Sequence, residues 1–213
     1  MRKILLTSAA TACLALTACG PGGGSDHRPS TAASTPSGSS SSGSATPGPG
    51  AGGGQSALEF GVPARTVGAK LVGILEITPT SVVHVGRANG TASRFGTFVV
   101  VTTKDASLTA NAADEEPANG TKGGWRWIAA NGQSVAENNG SASRVSVTGY
   151  EGAGRIEPGT SQPRSEVFDL TPEQAGPGAT LVYTDATGSE NRWKVPAADS
   201  GPEAADVKRR LAS

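Results

Sequence analysis

The amino-acid sequence predicts an all-β fold, an antiparallel β-sandwich, for residues 58–197. About seven or eight short segments rich in β-branched and aromatic residues lie in this range, and Gly, Asn, Pro and Asp separate them. No segment repeats its apolar residues with the helical period of about 3.6 residues. Short strands at this spacing, joined by turn residues, are typical of two packed antiparallel sheets.

An export signal is predicted ahead of this domain. Arg2 and Lys3 precede an apolar run that ends at Leu16, which is shorter than the about 20 apolar residues of a permanent membrane-spanning helix. Leu16, two small residues and Cys19 together resemble a lipobox, the motif at which bacterial lipoproteins are cleaved and acylated. The motif predicts residues 1–18 as a signal peptide and Cys19 as the lipid attachment residue, with an ordinary cleaved signal peptide as the alternative. Two acyl chains would hold Cys19 stably in a lipid bilayer.

Residues 19–57 are predicted to form a lipid-anchored linker rich in Gly, Ser and Pro. Residues 20–57 contain no Leu, Ile, Val, Met, Phe, Tyr or Trp. Such a segment cannot bury enough apolar surface to offset the entropy lost on ordering, so a disordered spacer is expected. A Ser/Thr-rich stalk for O-glycosylation is the alternative.

Composition and charge exclude several classes of protein. The chain has 18 Lys and Arg against 18 Asp and Glu, and loss of residues 1–18 removes two basic residues, which leaves a formal charge of −2. The basic surface of a nucleic-acid-binding protein is therefore not present. Cys13 would leave with the signal peptide, so no internal disulfide and no thiolate metal site can form. We expect no nucleic-acid partner, no metal and no cofactor.

The first half of the domain contains the strongest strand pattern in the chain, at residues 95–103. Apolar side chains occupy both faces of its centre, so a strand covered on both sides is expected. Residues 67–85 predict one or two strands that place Leu71, Leu75 and Ile77 on one face. Residues 105–121 predict a weak strand around Leu108 and then a polar loop.

The second half of the domain continues the pattern of short strands. Residues 125–128 predict a strand that ends at the Asn131-Gly132 hairpin turn. The further predicted strands lie at residue 135, at 145–150, at 166–170 and in a closing hairpin of 181–184 and 192–195. Residues 198–213 are a polar tail, in which we expect a short helix over 203–211, mostly solvated and frayed.

The sequence Gly-Thr-Phe-Val-Val-Val at residues 96–101, the strand around Phe168 and the closing strand around Trp193 resemble a known family. It is the small immunoglobulin-like domain of unknown function found on actinobacterial surface lipoproteins, and the resemblance rests on the strand pattern. It implies an immunoglobulin-like antiparallel β-sandwich and no particular activity, because that family has no agreed one. The chain departs from the family at Lys104-Asp105, where an Asn-rich end often follows the central strand.

Few residues of the domain suit catalysis. His84 is its only histidine, and in an apolar strand a packed or edge position is more common than a catalytic one. Asp114, Glu115 and Glu116 are neighbouring carboxylates in the polar loop. We expect them to form a solvated surface, with Ca²⁺ binding as the alternative.

Trp125 and Trp127 are the candidate binding residues. Side chains two positions apart on a strand point to the same face, so both are buried or both are exposed. Burial in the core is the favoured interpretation, since Arg126 suits a solvated face better than two indoles do. The alternative is an exposed aromatic strip for contact with a glycan or a peptide.

These observations favour a non-enzymatic binding or interaction module, a β-sandwich anchored to the cell membrane and facing the extracellular side. An envelope protein or a glycan is the expected partner. A structural or accessory subunit of a cell-envelope complex is the first alternative, and a cryptic hydrolase is the second.

Overall fold

The computed structural model describes residues 56–118 and 122–213, which fold into two four-stranded antiparallel sheets with a small hairpin and a helix. The first sheet comprises Ala64–Val67 (β1), Ile74–Val85 (β2), Thr97–Ser107 (β5) and Ser161–Leu170 (β8), in the order β1-β2-β5-β8. The second comprises Gly124–Ile128 (β6), Ser134–Ala136 (β7), Thr180–Thr184 (β9) and Glu190–Lys194 (β10), in the order β10-β9-β6-β7. Arg87–Ala88 (β3) pairs with Thr91–Ala92 (β4), and Ala204–Leu211 is an α-helix (α1). The all-β antiparallel sandwich predicted from the sequence is confirmed.

Strand β5 lies at the centre of the molecule and is covered on both faces, as its sequence predicts. Val99 and Val101 face the second sheet in the core between the sheets. Phe98 and Val100 face the opposite way into a second core. All four side chains are fully buried, because a strand with apolar residues at every position is stable only between two layers.

Three tryptophans fill the core between the sheets. Trp125 and Trp127 of β6 and Trp193 of β10 are at most 1% exposed. The ring of Trp125 lies 5.0 Å from the ring of Tyr183 and 5.7 Å from that of Trp193. Aromatic pairs at such separations contribute about 0.5–1.5 kcal/mol beyond the area that they bury.

The second core lies on the far side of the first sheet, beneath α1 and residues 138–150. Val207 and Leu211 of α1 are 0% and 1% exposed and pack into this core. The expected short helix is present at Ala204–Leu211 and most of its residues are exposed or half-buried as expected, but it is packed on the sheet and is not a frayed end. The tail is polar on average, but Val207 and Leu211 are four residues apart and share one helix face, which the sheet covers.

Residues 145–150 do not form the predicted strand. Val145 and Val147 are buried in the second core, but they follow a 3-10 helix, Ala142–Arg144, and join no sheet. Asn139 fixes this segment to β8 instead. Its side-chain amide donates to the carbonyl oxygen of Asp169 at 2.7 Å, and its Oδ1 accepts from the Asp169 N–H at 2.8 Å. The alternation of apolar and polar residues predicted that Val145 and Val147 are buried. It did not predict that their backbone is outside both sheets.

Two further strand boundaries differ from expectation. Leu71 is 65% exposed and lies in a 3-10 turn rather than on a strand face, because Lys70 and Leu71 have φ of 56° and 63°, a backbone region that strands do not enter. Strand β5 continues to Ser107, and Leu108, expected in a weak strand of its own, is 44% exposed beyond it.

The predicted hairpins of the second sheet are confirmed. Strands β6 and β7 join at the Asn131-Gly132 turn, where Gly132 has φ of 84°, and β9 pairs with β10. Leu58 lies beside β10: its N–H donates to the carbonyl oxygen of Arg192, and its own carbonyl oxygen accepts from the Lys194 N–H, each at 2.8 Å. In residues 56–118 and 122–213, no helix is long and apolar enough to cross a membrane.

Candidate functional site

The space between the two sheets is apolar at one end and charged at the other. Side chains alternate along a strand, so every second residue of β5 and β8 faces the second sheet. The apolar inward residues of both strands give way to polar ones at this end. These are Thr103, Asp105, Arg164 and Glu166, which are 0% to 8% exposed. We call this region the charged end.

Arg164 is the positive centre of the charged end. Its Nη1 and Nη2 each donate to Oδ1 of Asp114 at 3.1 Å, and Nη1 also donates to Oε2 of Glu115 at 3.2 Å. Its Nε lies 3.7 Å from Oδ2 of Asp105. Burial alone would lower the pKa of Arg164, but the charges of Glu115, Asp105 and Asp114 outweigh it and raise the pKa. One guanidinium thus joins β5, β8 and the loop between β5 and β6.

That loop is also fixed to the second sheet. Nε1 of Trp125 donates to Oε1 of Glu115 at 2.9 Å, and the N–H of Glu116 donates to the hydroxyl oxygen of Tyr183 at 2.7 Å. Burial raises the pKa of Tyr183, so the hydroxyl stays neutral. The Glu115 side chain is only 12% exposed, and the expectation that it belongs to a solvated surface is wrong because Arg164 and Trp125 bind it.

Glu137 and Glu166 are two further carboxyl residues of the charged end, in the wall of its cavity. Burial, and next the charge of Glu115, raises the pKa of Glu166 well above its ordinary value. Burial also raises the pKa of Glu137. Both carboxyl groups therefore hold a proton more readily than a solvated glutamate does.

Asp105 is fully buried without a hydrogen-bond partner on either carboxyl oxygen among the described residues. Two neighbouring buried atoms, Oγ1 of Thr103 and Nε of Arg164, also lack one in that part of the chain. Burial, and next the charge of Glu115, raises the pKa of Asp105 well above its ordinary value. The charged end thus holds more carboxyl groups than the Arg164 guanidinium can pair.

A cavity of about 340 Å³ opens at the charged end. Among the residues that the structure describes, its wall carries five carboxyl side chains and two basic ones, together with Trp125. The carboxyl residues are Asp114, Glu115, Glu116, Glu137 and Glu166, and the basic residues are Lys70 and Arg164. Cavities that hold small ligands in proteins begin at about 300 Å³, so this one has room for an organic group.

The rim of the cavity is a strained loop. Lys70 and the adjoining Leu71 both have positive φ, which costs about 1–2 kcal/mol for each residue with a Cβ. The N–H of Ala69 donates to the carbonyl oxygen of Asp114 at 2.8 Å and so fixes the rim to the cavity wall. A Cβ at Gly68 would lie 2.2 Å from the carbonyl oxygen of Val72, so this turn requires glycine. Strain of this kind concentrates at functional sites.

The structure buries both candidate binding residues, Trp125 and Trp127. The favoured interpretation is confirmed, and the exposed aromatic strip is wrong because both indoles face the first sheet. Trp127 donates from Nε1 to the carbonyl oxygen of Gln174 at 2.8 Å. Trp125 reaches the cavity wall through its bond to Glu115, whereas Trp127 does not line the cavity.

The other residues singled out from the sequence lie elsewhere. His84 is on β2, where its N–H donates to Oδ1 of Asp199 at 2.8 Å and its ring Nδ1 lies 3.4 Å from the same oxygen. Cys19, the signal peptide of residues 1–18 and most of the linker lie outside the described residues, so lipid attachment stays a prediction.

Four residues of the charged end were not predicted from the sequence to be functional, namely Asp105, Glu137, Arg164 and Glu166. A signal for two of them was present, because Arg164 and Glu166 have the same strand parity as Phe168 and Leu170, which are core residues. Polar residues at inward positions of a strand have to be paired or functional. Glu137 had no such signal, since it follows β7 in a segment without strand periodicity.

A wall with surplus carboxyl groups attracts positive charge and repels anions. Within the described ranges, no group of three or more His, Cys, Asp and Glu side chains is placed to hold a metal ion. No protein-family model, no curated protein and no solved structure matches the chain.

Proposed function

We propose that the chain is a non-enzymatic binding module, anchored to the cell membrane through acylated Cys19, with its β-sandwich on the extracellular side. The cavity at the charged end is its binding site. The lipobox-like segment that ends at Cys19 supports the anchoring. The strand pattern resembles the immunoglobulin-like domain of actinobacterial surface lipoproteins, and this resemblance supports the extracellular location. The resemblance itself stays a prediction.

The observation that carries the binding function is the unequal charge of the cavity wall, to which the described part of the chain contributes five carboxyl side chains and two basic ones. Burying carboxyl groups without full pairing costs free energy of folding. A domain that served only as a spacer or a scaffold would be more stable with apolar side chains at Asp105 and Glu166. Ligand binding would explain why such residues are present although they lower the stability of the fold.

The arrangement of the carboxyl groups supports binding rather than glycoside hydrolysis. Glycosidases hold their two carboxyl groups about 5 Å or more apart so that the sugar and a water molecule fit between them. Asp114 and Glu115 are held by Arg164. His84 does not line the cavity.

Titration of the mature chain followed by NMR tests the binding function. The protein is expressed from residue 19 with Cys19→Ser, so that it carries no acyl chain. The indole N–H of Trp125 reports on the cavity because it donates to Glu115. Three probes of different charge are added separately, each to about 10 mM. This concentration is about ten times the Kd of a weak ligand that binds with a Kd of about 1 mM. They are 1,4-diaminobutane, succinate and glucose. Saturable shifts of the Trp125 signal with any one of them support a binding site.

No shift of the Trp125 signal with any of the three would overturn the binding function and favour a structural or accessory role. The anchoring part of the proposal has its own test. Mass spectrometry of the mature amino terminus should find an acylated Cys19. Cys19→Ala should abolish the modification and leave either uncleaved precursor or soluble protein. An unmodified terminus at another residue would contradict the anchoring.

A further inference from the structure

We infer that residues 199–213 form a strap that covers the free edge of β2, and that this edge, once uncovered, pairs with the same edge of a second copy of the chain. This goes beyond the binding site proposed at the charged end, because the strap contributes no residue to that cavity wall. Four features carry it, namely the length of β2, the backbone bonds between β2 and the strap, the close approach of Gly201 and the small number of apolar anchors.

Strand β2 is longer than the strand that covers its edge. It has 12 residues, whereas β1 has four and pairs with residues 74–77. From Thr78 onward, no other strand of the first sheet lies on this side of β2 in the described part of the chain. Pro79 and the bulge between Pro79 and Ser81 interrupt the edge near its middle. Residues 82–85 are therefore the part of the edge that remains able to pair.

The strap supplies the partner that this part of the edge lacks. The N–H of Val82 donates to the carbonyl oxygen of Ser200 at 2.8 Å, and the carbonyl oxygen of Val82 accepts from the Ser200 N–H at 3.0 Å. The N–H of His84 donates to Oδ1 of Asp199 at 2.8 Å. Val82 and His84 thus turn their backbone groups to the free edge, as alternate residues of an antiparallel strand do.

The strap lies directly on the β2 backbone. Gly201 has φ of 100°, and a Cβ at this position would lie 2.2 Å from the carbonyl oxygen of Thr80. Closure of the strap therefore requires glycine here. Beside it, the Ser81 hydroxyl donates to Oε2 of Glu203 at 2.6 Å and accepts from the Glu203 N–H at 2.9 Å. These contacts fix the strap at the point where the bulge of β2 ends.

The strap can open without breaking either four-stranded sheet. None of its residues belongs to a strand of those sheets. Its apolar anchors in the second core are Val207 and Leu211, with the half-buried Ala204 beside them. Segments with few buried apolar contacts open at a lower free energy than the core of a fold does. Opening would uncover residues 82–85 and part of the second core together.

The uncovered edge is complementary to itself. In an antiparallel pair, two residues that lie directly opposite each other can exchange both of their backbone hydrogen bonds. If Val83 lies opposite Val83 of a second copy, Val82 of each copy lies opposite His84 of the other, and both residues find partners. Such a pair has two-fold symmetry, the commonest symmetry of homodimers. Three of the residues 82–85 are valines and none is Lys, Asp or Glu, a composition that favours pairing between exposed edges.

Amide hydrogen exchange of the mature Cys19→Ser chain, followed by NMR, tests the strap. Gly201→Ala should open it, because the added Cβ collides with the β2 backbone. Exchange of the Val82 and His84 N–H groups should then accelerate about tenfold or more. Gly188→Ala is the matched control, since Gly188 has φ of 83° but open space around its Cβ position, and it should leave both rates unchanged. Slow exchange in β5 shows that the sandwich is intact.

Asp199→Ala is the second strap variant, and it serves if Gly201→Ala does not fold. It removes the acceptor of the His84 N–H and the 2.7 Å partner of the Lys208 ammonium group. The informative group is the N–H of Val82, which donates to Ser200 and not to Asp199. Its exchange should accelerate about threefold or more, because the neighbouring contact of the strap is lost.

Sedimentation velocity between about 10 μM and about 1 mM protein tests the pairing. The parent and Gly188→Ala should remain monomeric, whereas Gly201→Ala should form dimers whose share rises with concentration. His84→Pro, added to Gly201→Ala, should abolish the dimers, because proline has no N–H to donate across the edge. The N–H of His84 faces the free edge, so proline there leaves the bonds between β2 and β5 in place.

Three outcomes would overturn the inference. Unchanged exchange of the Val82 N–H in both strap variants would show that residues 199–213 do not act as a strap. Monomers at every concentration despite accelerated exchange would refute the pairing of the uncovered edge. Dimers that persist with His84→Pro would refute it as well, because they would form through another surface.

Discussion

The indole N–H of Trp125 donates a hydrogen bond of 2.9 Å to Oε1 of Glu115, and this bond ties the loop after β5 to the second sheet. Glu115 uses its other oxygen to bind Arg164 of the first sheet. One carboxyl group therefore bridges the two layers of the sandwich at the charged end. The first prediction concerns the stability that depends on this bridge.

Glu115→Ala should lower the free energy of unfolding by about 1–3 kcal/mol, because it leaves the buried N–H of Trp125 without an acceptor. Glu116→Ala is the matched control, since Glu116 contributes a backbone N–H to Tyr183 that the substitution preserves. The control should change stability by less than about 0.5 kcal/mol. Urea unfolding measures both, and equal effects at the two positions would contradict the bridging role of Glu115.

Arg164→Met should be the more damaging change at the charged end. It removes the buried partner of Asp114 and Glu115 and leaves Asp105 facing further carboxyl groups, a loss of about 3–5 kcal/mol for broken buried ion pairs. Arg155→Met is the control, because Arg155 is exposed and donates to the carbonyl oxygen of Ala112. If Arg164→Met cost no more than Arg155→Met, the charged end would not be held by the guanidinium.

The carboxyl groups of the charged end should make stability depend on pH. Burial raises the pKa of Asp105, Glu137 and Glu166 in the folded chain. A carboxyl group with a raised folded-state pKa contributes stability that is fully present below its unfolded pKa, about 4.3 for Glu, and is lost as pH rises through the folded pKa. Glu166→Gln stays neutral at every pH, so its stability relative to the parent should increase from pH 5 to pH 8.

Urea midpoints at several pH values across this range measure that increase. Carboxyl groups with lowered pKa values, such as Asp169 and Asp185, have the opposite dependence, because their stabilising effect is lost as the pH falls. That loss occurs below their ordinary pKa near 3.8 and therefore outside the range from pH 5 to pH 8. Glu157→Gln, at an exposed position outside the cavity wall, is the surface control. A constant difference between Glu166→Gln and the parent would mean that the pKa of Glu166 is not raised in the folded chain.

Trp127→Ala should lower the free energy of unfolding by about 3–5 kcal/mol, the usual cost of deleting a large buried aromatic side chain. Its ring is fully buried and lies 5.8 Å from the ring of Phe168. Leu71→Ala is the contrasting change at an exposed position, with an expected effect below about 0.5 kcal/mol. A shift of less than about 1 kcal/mol for Trp127→Ala would contradict the core position of this indole.

The class of fold could be predicted from the sequence because strand periodicity and turn residues are local signals. The alternation in β5 and β8 and the Asn131-Gly132 turn act over fewer than about ten residues. The backbone of residues 145–150 could not be predicted, because side-chain bonds from Asn139 to Asp169 replace a sheet ladder there. Burial of α1 depends on the sheet face that receives Val207 and Leu211, which is a long-range property.

The charged end was less accessible from the sequence for the same reason. Its members come from four places in the chain: β5, the loop after β5, the segment after β7, and β8. These are brought together only when the two sheets pack. Asp114 and Glu115 look like a solvated loop until the partner at position 164 is known. The one local signal was the inward parity of Arg164 and Glu166 within a strand whose other inward residues are apolar.

Leu58 determines where a mechanical load enters the domain. Tension applied through the chain ahead of it is borne first by the two hydrogen bonds between Leu58 and the Arg192 and Lys194 backbone, and then by the bond from Nε1 of Trp193 to the carbonyl oxygen of Val62. The segment before β1 can detach from the edge of the second sheet while both four-stranded sheets stay paired. The ion pair between Glu59 and Lys194 and the packing of Leu58 and Phe60 on the core hold the same segment. A pull that breaks all of these contacts would lengthen the connection by about six residues, roughly 20 Å of extended chain, before it reaches the sandwich itself.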